Sequence, residues 1–176
     1  KREWPDHKTV TIDLRPETKP DFVMDMRLLN FPDGYFDLVA SSHSLEHIPR
    51  WQQEDVWKES VRVLKPGGFV EHVLPNLEWA SQHIVNDTLA DSGEAVFNVL
   101  YGSQDGHGQG GLSSNTHFFG FTPKIAKELA ESAGLCDVTV STYKDDPVRQ
   151  WEILLTGRKP KHAKKKAKAI KGRRRQ

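Results

Sequence analysis

Phe36-Asp37-Leu38-Val39-Ala40 is the stretch that most limits what this chain can become. It is a short apolar run without alternation, entered from the turn Pro32-Asp33-Gly34, and it predicts a strand buried on both faces of a parallel sheet. Two similar units precede it, Thr9-Val10-Thr11-Ile12-Asp13 and Asp21-Phe22-Val23-Met24-Asp25, each a few apolar or β-branched residues closed by an acid. Three strands ending in polar residues point to one rim, and ligands of open α/β sheets sit beyond the carboxyl ends of the strands. Asp13, Asp25 and the turn from Ser41 to His47 are therefore the predicted site.

The rest of the chain supports an α/β reading. The prolines of Arg15-Pro16-Glu17-Thr18-Lys19-Pro20 leave room for no more than one helical turn between the first two strands. Trp51 to Leu64 is an amphipathic helix with Val56, Trp57, Ser60, Val61 and Leu64 on one face, stopped by Lys65-Pro66-Gly67-Gly68. Phe69 to Leu74 is the next strand. Leu77 to Tyr101 reads as helix in two pieces broken near Asp91-Ser92-Gly93, and glycine-rich Gly102 to Thr116 reads as a long loop of the kind used for lids. Thr122-Pro123 opens a helix that buries Ile125, Ala126, Leu129, Ala130 and Ala133, and Gly134 closes it. Cys136 to Tyr143 and Gln150 to Thr156 form a terminal antiparallel pair.

At 176 residues the chain is one domain, read as 1–157, followed by a basic tail over 158–176. The formal charge of +1 hides an asymmetry: all 24 acids precede Arg158 beside only 14 of the 25 basic residues, a net of −10, whereas the last 19 residues carry 11 Lys and Arg and no acid. One cysteine, Cys136, excludes an internal disulfide framework and suits a reducing compartment. No apolar run approaches the ~18 residues that span a bilayer, so a cytoplasmic protein without membrane contact is expected.

Thr11-Ile12-Asp13-Leu14, Asp25-Met26, Leu29 to Val39, Ser42-His43-Ser44-Leu45-Glu46-His47 and Arg62-Val63-Leu64-Lys65-Pro66-Gly67-Gly68, in that order, closely resemble the class I S-adenosylmethionine-dependent methyltransferases of the type 11 group. The resemblance is strong from Thr9 to Pro75 and weaker from His117 to Thr156. It implies a Rossmann-like fold and S-adenosyl-L-methionine as cofactor. It places Asp13 on the ribose diol, Asp25 on the adenine amino group with Leu14 and Met26 as apolar neighbours, and carbonyls near Ser41 and Ser42 on the ammonium of the methionine part. It also implies methyl transfer to an oxygen or nitrogen nucleophile, with His43, then His47 and His117, as candidate general bases. The family's first strand and glycine-rich turn have no counterpart in Lys1 to Thr9. The expectation is a longer natural chain, a fold completed by a partner, or a degenerate and non-catalytic methyltransferase-like module.

Three further patterns carry competing readings. Gly106-His107-Gly108-Gln109-Gly110-Gly111 has dinucleotide-fingerprint spacing without the strand before it or the helix after it. His43-Ser44-Leu45-Glu46-His47 matches an inverted zinc-peptidase motif, but the entering strand and Pro49 leave about one helical turn, too little to set both histidines on one face, so no metal is expected. Lys161 to Arg175 is either a solubilising extension or a sequence-blind, salt-sensitive contact to nucleic acid or another polyanion, and Arg158 to Arg175 as a whole is the predicted polyanion partner site. The methyl acceptor and the oligomeric state are open at this level.

Overall fold

The computed structural model describes residues 8–89, 93–103, 115–143, 145–146 and 148–162. The Gly106–Gly111 fingerprint, most of the predicted lid, the Asp91-Ser92 helix break and the tail beyond 162 lie outside these residues.

Among the described residues there are six strands: β1 (Ile12–Asp13), β2 (Phe22–Val23), β3 (Phe36–Ser42), β4 (Leu64–Pro75), β5 (Cys136–Thr142) and β6 (Glu152–Arg158). The helices are α1 (Gln53–Val63), α2 (Leu77–Val85), α3 (Ala95–Tyr101) and α4 (Pro123–Ser132). The strands form two separate ladders, a parallel β1-β2 pair and a four-stranded sheet in the order β3-β4-β6-β5. Within the larger sheet β3 and β4 run parallel, and β6 is antiparallel to both β4 and β5. The expected α/β class, parallel start and antiparallel terminal pair are all present.

The split overturns one expectation. Among the described residues β3 pairs on one side only, with β4. It is not buried on both faces: Asp37, Ala40 and Ser42 are exposed and the residues between them half-buried. Among the described residues no strand lies between β3 and β1, so three strand ends do not share one continuous rim.

The core lies between the larger sheet and the helices α1 and α4. Val56 and Trp57 of α1, Val70 and Leu74 of β4, Ala126 and Ala130 of α4, and Ile153 and Leu155 of β6 belong to it, all at most 1% exposed. Ile125, Leu129 and Ala133 pack against its margin, so the predicted stripe of α4 is the buried one. Thr122 caps α4 through Ile125 N–H at 3.2 Å, and Gly134 follows at a φ of 103°. A smaller cluster of Ala80, Val96 and Val99 joins α2 to α3.

α1 is entered by a 3-10 turn at Arg50–Gln52 and passes directly into β4 at Leu64, five residues before the predicted strand. Phe36 pairs with Leu64 and Leu38 with Phe69, so Lys65 to Gly68 bulges opposite Asp37. A side chain at Gly68 would stand 2.9 Å from the Asp37 carbonyl, and Gly67 has a φ of 84°, which explains the two glycines there.

Two anchors hold the periphery. The Arg62 guanidinium donates to the carbonyls of Leu29 and Phe31, both at 2.8 Å, and pairs with Glu59 and Asp33, fastening the link between β2 and β3 to α1. Lys159 donates its ammonium to the Leu64 and Arg62 carbonyls at 2.7 and 3.2 Å, so the first basic residues of the C-terminal stretch are part of the body.

Candidate active site

β3 ends at Ser42, and the chain turns inward through His43, whose φ of 50° is left-handed and uncommon for a residue with a side chain. The His43 N–H still reaches the Val73 carbonyl of β4 at 3.0 Å, so the turn grows straight from the sheet. One 3-10 turn, Leu45–His47, follows, as short as the sequence suggested. Leu45 inserts into the core at 2% exposure, and the buried Gln53 amide donates to the carbonyls of Leu45 and Ile48 at 2.7 and 2.8 Å. From the other side, the Phe118 and Phe119 N–H groups donate to the Glu46 carbonyl at 2.8 and 3.1 Å. Held on three sides, the turn points the Glu46 side chain inward, where it is fully buried.

Three histidines surround that carboxyl. His43 Nδ1 is 3.5 Å from Glu46 Oε1, His117 Nε2 is 3.8 Å and His47 Nε2 is 4.0 Å. All are within ion-pair reach, yet neither Glu46 oxygen has a hydrogen-bond partner among the described residues. The far side of His43 is engaged by Glu152 Oε1, 3.1 Å from Nε2, and its ring lies 5.0 Å from that of Trp151. Glu152 is also held by Arg149 at 2.6 Å. Burial opposes a charge on His43, but Glu46 and Glu152 together outweigh it and raise the His43 pKa. Burial dominates at His117 and lowers its pKa, against the Val99 carbonyl and the Glu46 charge. The structure thus brings His43, His47 and His117 together, although 70 residues separate the last two.

The strand-end acids are arranged differently. The register pairs Asp13 with Val23, so Asp25 lies two residues past the tip of the neighbouring strand. Each acid is bound by an arginine two residues later. Arg15 reaches Asp13 through its backbone N–H at 2.9 Å and through two guanidinium nitrogens at 3.2 Å, while Arg27 grips Asp25 and reaches the Gln52 amide oxygen at 2.5 Å. At Asp13 burial works against the charge, but the bonds from Arg15 prevail and hold the carboxyl below its usual range. At Asp25 the Arg27 guanidinium is the main cause of the same direction. Leu14 is exposed, whereas Met26 packs against the main core. Ser41 Oγ is 2.8 Å from Nδ1 of the buried His72, and the Ser42 carbonyl accepts the Ser44 hydroxyl at 3.1 Å. Burial alone pushes the His72 pKa down to about 4.

Glu46, Glu152 and Trp151 are the residues that sequence reasoning missed. Glu46 lies inside a motif whose flanking histidines are the more obvious proton carriers. Nothing local marks Glu152, since its contact with His43 spans 109 residues.

Residues 6–71 match the model of the methyltransferase domain, type 11. No curated protein matches the chain significantly. Among solved structures, the chain is similar to a Thermotoga maritima SAM-dependent methyltransferase described as a possible histamine N-methyltransferase. The TM-score is 0.52 at 18% identity, over 81% of this chain and 66% of that one. A SAM-dependent methyltransferase from Archaeoglobus fulgidus gives a TM-score of 0.55 at 14% identity, over 84% and 74%. Human N-acetylserotonin methyltransferase in complex with SAM gives 0.50 at 15%, over 78% and 32%. These likenesses establish the fold, and the chain spans just under two thirds of the first of these structures and about a third of the last.

Proposed function

We propose that this domain transfers a methyl group from S-adenosyl-L-methionine to an oxygen or nitrogen nucleophile. The observation that carries the reading is the family match over 6–71, which contains both strand-end acids and the whole His43–His47 turn. Bound cofactor would supply a sulfonium methyl that is already electrophilic, so the protein's work is alignment and proton handling.

The donor set suits that ligand. Asp13 and Asp25 are acceptor-only groups at neighbouring strand ends, matched to a ribose diol and an adenine amino group. The half-exposed Arg15 forms a surface pair with Asp13 worth only ~0–1 kcal/mol, less than the charged hydrogen bonds that a diol would offer. His43, His47 and His117 gather at the end of β3, with His117 held neutral by burial and His43 biased toward the charged form by its two carboxylates. The two rings therefore differ in basicity within a single cluster.

Retention of radiolabelled S-adenosylmethionine by the protein and by Asp13→Ala and Asp25→Ala variants tests the reading. Each variant is expected to bind about 10- to 100-fold more weakly, the effect of losing a charged hydrogen bond. Equal affinities would remove the two acids from the site.

A second reading has an observation of its own. The sheet is split beside β3, and both acids are already satisfied by arginines, which favours a non-catalytic methyltransferase-like scaffold tethered to RNA or a protein assembly by the basic stretch Arg158 to Arg175. Absence of cofactor binding by the unmodified protein would select it.

A further inference from the structure

We propose that Glu46, His47 and His117 form a binding site for a divalent transition-metal ion of the Zn2+ class. One carboxylate oxygen and one nitrogen from each ring lie within 4.8 Å of one another, with Glu46 Oε1 at 4.0 Å from His47 Nε2 and 3.8 Å from His117 Nε2. Ligands at about 2.0–2.2 Å from a tetrahedral ion stand about 3.3–3.6 Å apart, so the two Glu46 separations close with a contraction of well under ~1 Å, and no pair needs to close by more than ~1.5 Å.

The protonation pattern favours a cation at the centre. His47 Nδ1 is 3.0 Å from the Thr116 carbonyl and His117 Nδ1 is 2.9 Å from the Val99 carbonyl. A carbonyl can only accept, so each Nδ1 carries a hydrogen, and in the neutral ring the lone pair is on Nε2, the atom turned toward Glu46. Two imidazole lone pairs thus face carboxyl oxygens that have no hydrogen-bond partner among the described residues. His43, which can carry a charge, stands 3.5 Å from Glu46 Oε1 without a hydrogen bond to it, so this fully buried acid still gains from a cation placed between the other two rings. Metal-bound histidines characteristically donate their other N–H to a carbonyl or carboxylate, as both rings do.

Two imidazoles and one carboxylate suit borderline ions such as Zn2+ or Co2+ better than Mg2+, which prefers oxygen ligands. Three protein ligands leave a coordination position for an oxygen donor such as water or a hydroxyl. The sequence-based expectation of no metal turned on His43 and His47 sharing a helix face. Here the second imidazole comes from His117 on a distant loop, so a short turn is no bar. With the ion bound, His47 and His117 are ligands and His43 is left for proton transfer. None of this depends on the cofactor.

The test uses the intact chain after chelator treatment, without cofactor. Co2+ is titrated while the d–d absorption of low-coordinate cobalt is followed, and Zn2+ is titrated by calorimetry. One equivalent of each is expected to bind, with Mg2+ in large excess failing to displace Co2+. His47→Ala, His117→Ala and Glu46→Gln should each weaken binding at least tenfold, and His83→Ala, outside the cluster, should not. Loss of a buried group can unfold a variant, so circular dichroism accompanies each one. The half-exposed His47 tolerates truncation, which keeps the test decisive. Absence of saturable one-equivalent binding, displacement by Mg2+, or affinity that survives His47→Ala in a folded variant would overturn the site.

Discussion

The two ladders of this protein use the same strand chemistry and reach opposite results. In the four-stranded sheet, Val70, Leu74, Ile153 and Leu155 are fully buried under helices, and burying each such side chain contributes about 1.5–3 kcal/mol. In the β1-β2 pair, Phe22 and Val23 are 47% and 56% exposed, and Leu14 just beyond β1 is 57% exposed. A lone two-stranded unit is marginal in water, and this one contains only two residues per strand. Candidate chemistry divides along the same line. The histidine cluster is rooted in the stable sheet, and the strand-end acids sit on the weak pair.

The largest expected effects fall on the larger sheet. Trp57→Ala, at a residue 1% exposed between α1 and the sheet, should cost ~3–5 kcal/mol in urea unfolding, and Leu155→Ala ~2–5 kcal/mol. A cost below ~1 kcal/mol at both positions would mean that this core is not the seat of stability.

Acid should reveal the same asymmetry through His72. Its folded pKa of about 4 lies below the ordinary 6.5, so the unfolded chain binds its proton first as pH falls. Stability from this residue is complete above about pH 6.5, falls between 6.5 and 4, and is level below, a change on the order of 3 kcal/mol. His72→Gln should remove that slope from unfolding curves measured across the window.

Smaller effects come from single hydrogen bonds and surface contacts. Thr122→Ala deletes the cap of α4 and should lower stability by ~1 kcal/mol by thermal or urea melts. Val23→Ala, on the exposed pair, should change global stability by less than ~0.5 kcal/mol. Hydrogen exchange sharpens the contrast: the Phe22 and Met24 amides, bonded to the Thr11 and Asp13 carbonyls, should exchange through low-energy local opening, whereas those of central β4 should need global unfolding. Equal protection would show that the pair is stabilised by contacts outside the described residues.

Much of the fold was legible from local pattern, because period, caps and turn residues act within a few positions. Thr122-Pro123 marked the start of α4, Gly134 its end, and the apolar stripe of α1 identified Val56, Trp57 and Ser60 as buried. Pairing partners are less accessible to such reasoning. The β3 run looked like a strand covered on both faces, yet covering a face depends on which remote segments pack there, and among the described residues β3 keeps Asp37, Ala40 and Ser42 exposed and pairs only with β4. The boundary of β4 was misplaced for a related reason: Leu64 joins the ladder through its partner Phe36, across a bulge that no local propensity signals.

For this protein the amino-acid sequence by itself determined the α/β class, the acids closing the first two strands, and the turn with His43, Glu46 and His47 at the end of the third. Tertiary structure alone decided that Glu46 would be sealed from water, that His117 and Glu152 would reach the cluster from 70 and 109 residues away, and that the two ladders would stand apart. The physical reason is range. Caps, turns and amphipathic periods are settled among residues a few positions apart, whereas burial of a charge and convergence of distant side chains exist only once the sheet has brought remote segments together.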